Sequence, residues 1–114
     1  GKAIGSFQAL QHRAVDLYVT TQMMRAAIDR AARAFEDADA REKALIASAC
    51  KARCSDGALA IAKEAIQMHG AIGYTDEHDI GLFVRRAIKL AAWLGNGAQH
   101  RKRYAALSPA LEQV

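Results

Sequence analysis

The chain has 114 residues, 52% of them hydrophobic and 25% charged, with a formal net charge of +4. A lone proline at position 109 and an alanine-rich apolar fraction favour an all-α fold of one domain, 1–114, long enough to bury roughly two-thirds of its unfolded surface. The basic excess is scattered apart from Arg101-Lys102-Arg103, which excludes the concentrated cationic face of a nucleic-acid binder, and no apolar run reaches membrane-spanning length.

The first element is a long helix, expected from Ser6, as N-cap, to Phe35. Phe7, Leu10, Ala14, Leu17, Met24, Ile28, Ala31 and Phe35 recur at steps of three and four, with Thr21 filling the gap, so one apolar seam runs its length. Asp39 followed by Glu42 forms a capping box, and the short acidic linker before it makes the next helix antiparallel to the first.

The second helix is expected from Ala40 to His69. Leu45, Ala49, Ala52, Leu59, Ala62 and Ile66 form one stripe, and Ile46, Cys50, Cys54, Gly57, Ile61, Ala65 and Met68 a second beside it. Two adjacent stripes imply a central helix, and a face this wide exceeds what one short bundle covers, which predicts an oligomer. Asp56 lies near these stripes and needs a donor if buried.

Gly70 and Gly73 are expected to stop the helix, because glycine enters left-handed conformations without strain. Thr75 or Asp76 is expected to cap a third helix from about Glu77 to Leu94, which Gly95-Asn96-Gly97 breaks. Asn96 then caps a fourth helix running to about Leu107, and the tail after Ser108-Pro109 is expected to fray. The architecture is thus an antiparallel four-helix bundle with two long and two shorter helices.

Self-contained chemistry is hard to find in this pattern. Cys50 and Cys54 share a helix face, but no matching His or Cys pair completes a metal site, so they read as small core residues in a reducing cytoplasm. His12, His69, His78 and His100 include no i,i+4 pair and read as surface or capping groups. Glu77 and Asp79 suit the positive end of a helix better than a paired-carboxylate site, and Arg85-Arg86 a solvated or salt-bridged edge. Spacing alone reads the Asn96-Gly97 helix start as a plain interhelical turn; the alternative is that its free backbone N–H groups bind an anion or a flavin edge. The N-terminus lacks the charged lead and apolar block of a signal peptide, and a start at Gly1-Lys2 without Met is that of a processed product or an excised piece.

Several segments, in order and at the right spacing, resemble the C-terminal helical domain of FAD-dependent acyl-CoA dehydrogenases. Gly1-Lys2-Ala3-Ile4-Gly5-Ser6-Phe7-Gln8 is similar to the family segment leading into a glutamine. Gln67-Met68-His69-Gly70-Ala71-Ile72-Gly73-Tyr74 is similar to its Gln-x-x-Gly-Gly-x-Gly-Tyr, and Arg85-Arg86-Ala87 to its Arg-Asp-Ala. Trp93-Leu94-Gly95-Asn96-Gly97-Ala98-Gln99-His100-Arg101 stands in the place of its Tyr-Glu-Gly-Thr-x-x-Ile-Gln-Arg.

The resemblance implies a fragment whose N-terminal helical and middle β domains are absent, from a parent that oxidises an acyl-CoA thioester to the 2,3-enoyl-CoA and passes electrons to an electron-transfer flavoprotein. It implies FAD contacts from Gln8, Gln67, His69, Gly70, Ala71, Gly73 and Asn96, several of them across a subunit interface of a homo- or hetero-oligomer. Ala71 in place of the second glycine narrows the backbone's approach. Arg86 in place of the aspartate removes an ion pair. Leu94 occupies the position that commonly carries the catalytic glutamate, and leucine cannot abstract a proton. The fragment alone is therefore expected to be inactive. The parent either places its base elsewhere, pairs with an unlike subunit that carries one, or runs a different reaction. The rivals are a non-catalytic oligomerisation or partner-subunit domain and, more weakly, a metal carrier using Cys50 and Cys54.

Overall fold

The computed structural model describes residues 1–108, and the Pro109 tail lies outside them. The chain is all-α. Four helices follow in order: α1 (Gln8–Phe35), α2 (Ala40–His69), α3 (Ile80–Ala92) and α4 (Gly97–Leu107). Short 3-10 turns at Ile4–Ser6 and Gly70–Tyr74 precede α1 and follow α2.

The ends of α2 fall where local chemistry puts them. The Asp39 carboxylate accepts from the Glu42 N–H at 2.8 Å and Glu42 accepts from the Asp39 N–H at 3.2 Å, completing the capping box. Gly70 ends the helix at φ 67°, ψ −147°, a conformation open essentially to glycine alone. Asn96 and Gln99 form the equivalent box at the start of α4. Three expected caps are corrected. Ser6 does not cap α1: its hydroxyl donates to the Ala3 carbonyl at 2.7 Å inside the preceding 3-10 turn, and α1 starts two residues later without a side-chain cap. Thr75 closes the turn after α2 by donating to Ile72 O at 2.8 Å, and Asp76 pairs with Arg85 at 3.1 Å. The start of α3 is met instead by His78, whose Nδ1 accepts from the Ile80 N–H at 3.1 Å.

The helix α2 is the spine. An ion pair from Arg13 to Glu64 at 3.0 Å, the seating of Met24 over Gly57, and Lys43 over the Phe35 ring set α1 antiparallel along one side. On the other side α3 and α4 follow in series, both antiparallel to α2. Lys51 donates to the Leu90 carbonyl at 2.5 Å near the end of α3. Arg101 pairs with Asp56 at the start of α4, and the Arg41 guanidinium donates to the Leu107 carbonyl, at 2.6 and 2.8 Å, at its end.

Small residues make these contacts close. The buried positions are Ser48, Ala52, Ser55, Gly57 and Ala62 of α2, Ala87 and Ala91 of α3, and Gly97 of α4. Among the described residues no side chain larger than Ser48 is fully buried. A radius of gyration of 17.5 Å, against about 13 Å for a compact chain of this length, and extents of 58 × 30 × 28 Å describe an elongated body with a thin core. The sequence-based expectation of an uncovered face on α2 is corrected accordingly, because α1, α3 and α4 share that face. The uncovered apolar surface lies on the outer helices, at Val15, Tyr18, Val19 and Met23 of α1 and at Leu82, Phe83 and Ile88 of α3.

Candidate functional site

The glycine turn is built from the last turn of α2 outward. Gly70 frees the chain to leave the helix, and a Cβ there would meet only open space. Gly73 plays a different part from the left-handed stop its residue type suggests. Its φ is not positive; it is buried because the turn folds back onto α2, and a Cβ would stand 2.7 Å from Ile66 O and 3.1 Å from His69 Cβ. Gln67, His69, Gly70 and Ala71 remain exposed on the outside of this turn.

Hydrogen bonds fix the orientation of the exposed groups. The Tyr74 hydroxyl donates to Gln67 Oε1 at 3.1 Å, which leaves the Gln67 amide N–H groups outward. His69 Nδ1 lies 2.6 Å from the Ala65 carbonyl, an acceptor, so Nδ1 carries a proton and donates to it. Its ring packs against His78 with centroids 4.6 Å apart, and His78 Nδ1 is already engaged by Ile80 N–H. This pairing ties the turn to the start of α3, a link between residues that the sequence shows only as separate surface histidines.

Gln8 shares this end of the molecule, because antiparallel packing places the first turn of α1 beside the last turns of α2. Asn96 does not. The α4 start packs at Asp56, roughly 16 Å along α2 from Gln67 at 1.5 Å per residue. The seven candidate residues thus form two regions, six at the glycine turn and one at the start of α4.

At that second region the chain passes through two consecutive left-handed residues, Leu94 at φ 60° and Gly95 at φ 100°. Leucine seldom takes this conformation, and the Leu94 side chain is 75% exposed beside Trp93. Asn96 Oδ1 accepts from Gln99 N–H at 2.9 Å and Gln99 Oε1 from Asn96 N–H at 2.8 Å. The first two helical N–H groups, on Gly97 and Ala98, keep no intrahelical acceptor and point out of the helix end. Gly97 lies against the Asp56 carboxylate, which would have to shift to admit a Cβ there. Asp56, exposed rather than buried, finds its donor in Arg101. Arg86 is exposed, while its neighbour Arg85 takes the ion pair with Asp76. Position 94 is a leucine, and the carboxylate at this region is that of Asp56, paired with Arg101.

Cys50 and Cys54 are free, half-buried and 4.0 Å apart at sulfur. Burial and the neighbouring Cys50 push the Cys54 thiol up to about 11. No helix among the described residues is long and apolar enough to cross a membrane.

The sequence matches the family profile described as acyl-CoA dehydrogenase, C-terminal domain, over residues 1–107. The chain belongs to the acyl-CoA dehydrogenase family, as its C-terminal domain. It is 37% identical over 110 residues to acyl-CoA dehydrogenase FadE34 of Mycobacterium tuberculosis, a match covering 96% of this chain and 16% of that protein. It is 38% identical over 103 residues to acyl-CoA dehydrogenase IpdE2 of Mycolicibacterium smegmatis, covering 90% of this chain and 31% of that one. A chain of the solved electron transferring flavoprotein structure from Acidaminococcus fermentans superposes with a TM-score of 0.86 at 26% identity, covering 96% of this chain and 28% of its own. The acyl-CoA dehydrogenase domain therefore spans less than a third of the length of these relatives. Its thin core agrees with a unit that packs against further protein.

Proposed function

We propose that this chain is the C-terminal domain of an FAD-dependent acyl-CoA dehydrogenase, supplying flavin contacts and an oligomer interface to the α,β-dehydrogenation of an acyl-CoA thioester. The observation that carries this reading is the glycine turn. Gly73 seats the turn against α2, Gly70 faces open space, and Gln67 is exposed with its Oε1 held by the Tyr74 hydroxyl. Such a surface admits close backbone approach by a polar cofactor such as the adenosine pyrophosphate of FAD. Gln8 lies at the same end, and the Gly97 and Ala98 N–H groups at the start of α4 supply a second set of donors suited to an electron-rich edge.

Bound there, the flavin would accept the hydride that leaves the substrate's β carbon. The residues of this chain would hold and orient it. Proton abstraction falls to a group outside the described residues. The rest of the parent comprises N-terminal helical and middle β domains, it acts in the cytoplasm, where two free thiols suit reducing conditions, and electron-transfer flavoprotein receives its electrons.

A second reading is favoured by Leu94 specifically. A left-handed, exposed leucine at the position of the base suits a partner subunit that completes a hetero-oligomer without carrying out proton abstraction itself.

One experiment separates them. The full-length protein is purified with and without candidate partner subunits, and flavin content and enoyl-CoA formation are measured. A yellow protein active alone supports the first reading, and activity only after mixing supports the second. A colourless protein that takes up no added FAD in either state sinks both.

A further inference from the structure

His100 joins two features that the flavin reading leaves unused. Its Nε2 lies 3.0 Å from the carbonyl oxygen of Leu94, the residue at φ 60°, and its ring packs over Gly95, where a Cβ would approach Nε2 to 3.2 Å. A carbonyl only accepts, so Nε2 carries a proton and donates to it, which leaves Nδ1 as the other ring nitrogen to be satisfied. That Nδ1 is buried and meets no protein donor among the described residues. The hydroxyl of Ser48, whose residue is 0% exposed, is likewise without a partner. Both residues line one partly open groove of about 370 Å³ between α2 and α4, whose walls also include Ala52, Asp56 and Tyr104.

We propose that His100 is the positioning residue of the loop 93–96, and that the groove it shares with Ser48 is a hydration site that holds its imidazole in the Nε2–H tautomer. A water needs roughly 10–15 Å³ and two to four polar partners, and this groove exceeds the first requirement many times over. Water donating to Nδ1 and exchanging a hydrogen bond with the Ser48 hydroxyl satisfies both buried groups. It also stabilises the tautomer that donates to Leu94. The strained carbonyl is thereby fixed from inside the helix pair, and the Leu94 side chain and the Gly97 and Ala98 N–H groups are set outward. The consequence for flavin binding rests on the function proposed above; the loop geometry does not.

The test uses the full-length protein labelled with [15N]histidine, together with hydrogen–deuterium exchange of the peptide carrying Gly95 and Asn96. The His100 ring is expected to show a protonated Nε2 and a hydrogen-bonded, unprotonated Nδ1, with Ser48→Ala shifting the Nδ1 resonance. His100→Ala is expected to speed exchange at Gly95 and Asn96 about fivefold, the loss of one hydrogen bond. His100→Gln, which keeps an N–H donor, restores it to within about twofold. A proton on Nδ1 in place of Nε2, or unchanged exchange in His100→Ala, overturns the positioning role. A Ser48→Ala ring spectrum identical to the parent overturns the hydration site. Should His100→Ala not fold, the unsubstituted ring spectrum and His100→Gln still decide. None of these readouts involves flavin, so a protein without cofactor can still pass or fail them.

Discussion

Gly73 approaches α2 so closely that a Cβ built on it would stand 2.7 Å from the carbonyl oxygen of Ile66. That backbone oxygen cannot swing aside as a flexible side chain would. The contact sets the path of the turn from Gly70 to Tyr74 and hence the face that Gln67, His69 and Ala71 present.

Gly73→Ala should therefore move the backbone. The expected cost is about 1–3 kcal/mol, the range for overpacking a filled site. Gly70→Ala should cost a similar amount, about 1–3 kcal/mol, for a different reason, since open space surrounds Gly70 but its φ and ψ exclude a Cβ. Urea unfolding of the full-length protein checks both, and FAD titration should show the weaker binding in Gly73→Ala. Equal stability of Gly73→Ala and the parent would rule out the close approach.

The Asn96–Gln99 box is the second testable element. Asn96→Ala removes the acceptor for Gln99 N–H while keeping the backbone N–H that donates to Gln99 Oε1, with an expected loss of about 1 kcal/mol. Asp39→Ala, at the matching box of α2, should lose a comparable amount, about 1 kcal/mol, while lying far from the regions proposed to hold flavin. Weaker flavin binding in Asn96→Ala but not in Asp39→Ala is the expected contrast; equal effects on flavin would assign Asn96 a purely structural part.

These boxes also show which parts of the molecule the sequence makes legible. The ends of α2 and the start of α4 are readable because capping is local: Asp39 needs Glu42 three residues on, and Gly70 needs only its own backbone. The starts of α1 and α3 are misjudged because a neighbouring turn claims Ser6 and Thr75, and Arg85 claims Asp76, each competing for the same short side chain. The Asp56–Arg101 pair spans 45 residues of sequence, and no local pattern announces it. The left-handed Leu94 is illegible for the opposite reason, because leucine's own preference argues against it and the compensating His100 bond appears only in the fold. The family motifs, by contrast, are legible at once and assign a role to Asn96 without showing that it stands apart from the glycine turn.

Cys54 should be slow toward thiol reagents. Burial and the adjacent Cys50 raise its thiol from an ordinary 9.0 to about 11, so at pH 8 the thiolate is about a hundredfold scarcer, partly offset by the greater nucleophilicity of a more basic sulfur. Alkylation monitored by mass spectrometry should label Cys54 about tenfold more slowly than a free cysteine peptide at pH 8. For stability the sign is negative with rising pH. Above the unfolded pKa near 9 the unfolded chain loses this proton while the folded one keeps it up to about 11, so stability falls across that interval. Cys54→Ser should flatten that fall in urea titrations at successive pH values, and an unchanged slope would remove Cys54 as its source.

The last prediction concerns the outer face of α1. Leu10, Leu17, Met24 and Ala31 face α2, whereas Val15, Tyr18, Val19 and Met23 lie on the opposite side of the same helix and are exposed. Polar residues replace them further along that side, at Asp29, Arg30 and Arg33, so this apolar patch runs from Val15 to Met23. With no large side chain fully buried among the described residues, the isolated chain gains more by covering this patch than by leaving it in water. Expressed alone, it should self-associate in sedimentation runs across a concentration series. Val19→Lys with Met23→Lys should shift the population toward monomer, because two ammonium groups would otherwise be taken out of water. Helix content should hold, and unfolding free energy should change by no more than about 0.5 kcal/mol per exposed site. Association that survives both lysines would place the contact elsewhere, with the exposed Leu82, Phe83 and Ile88 of α3 the next face to substitute.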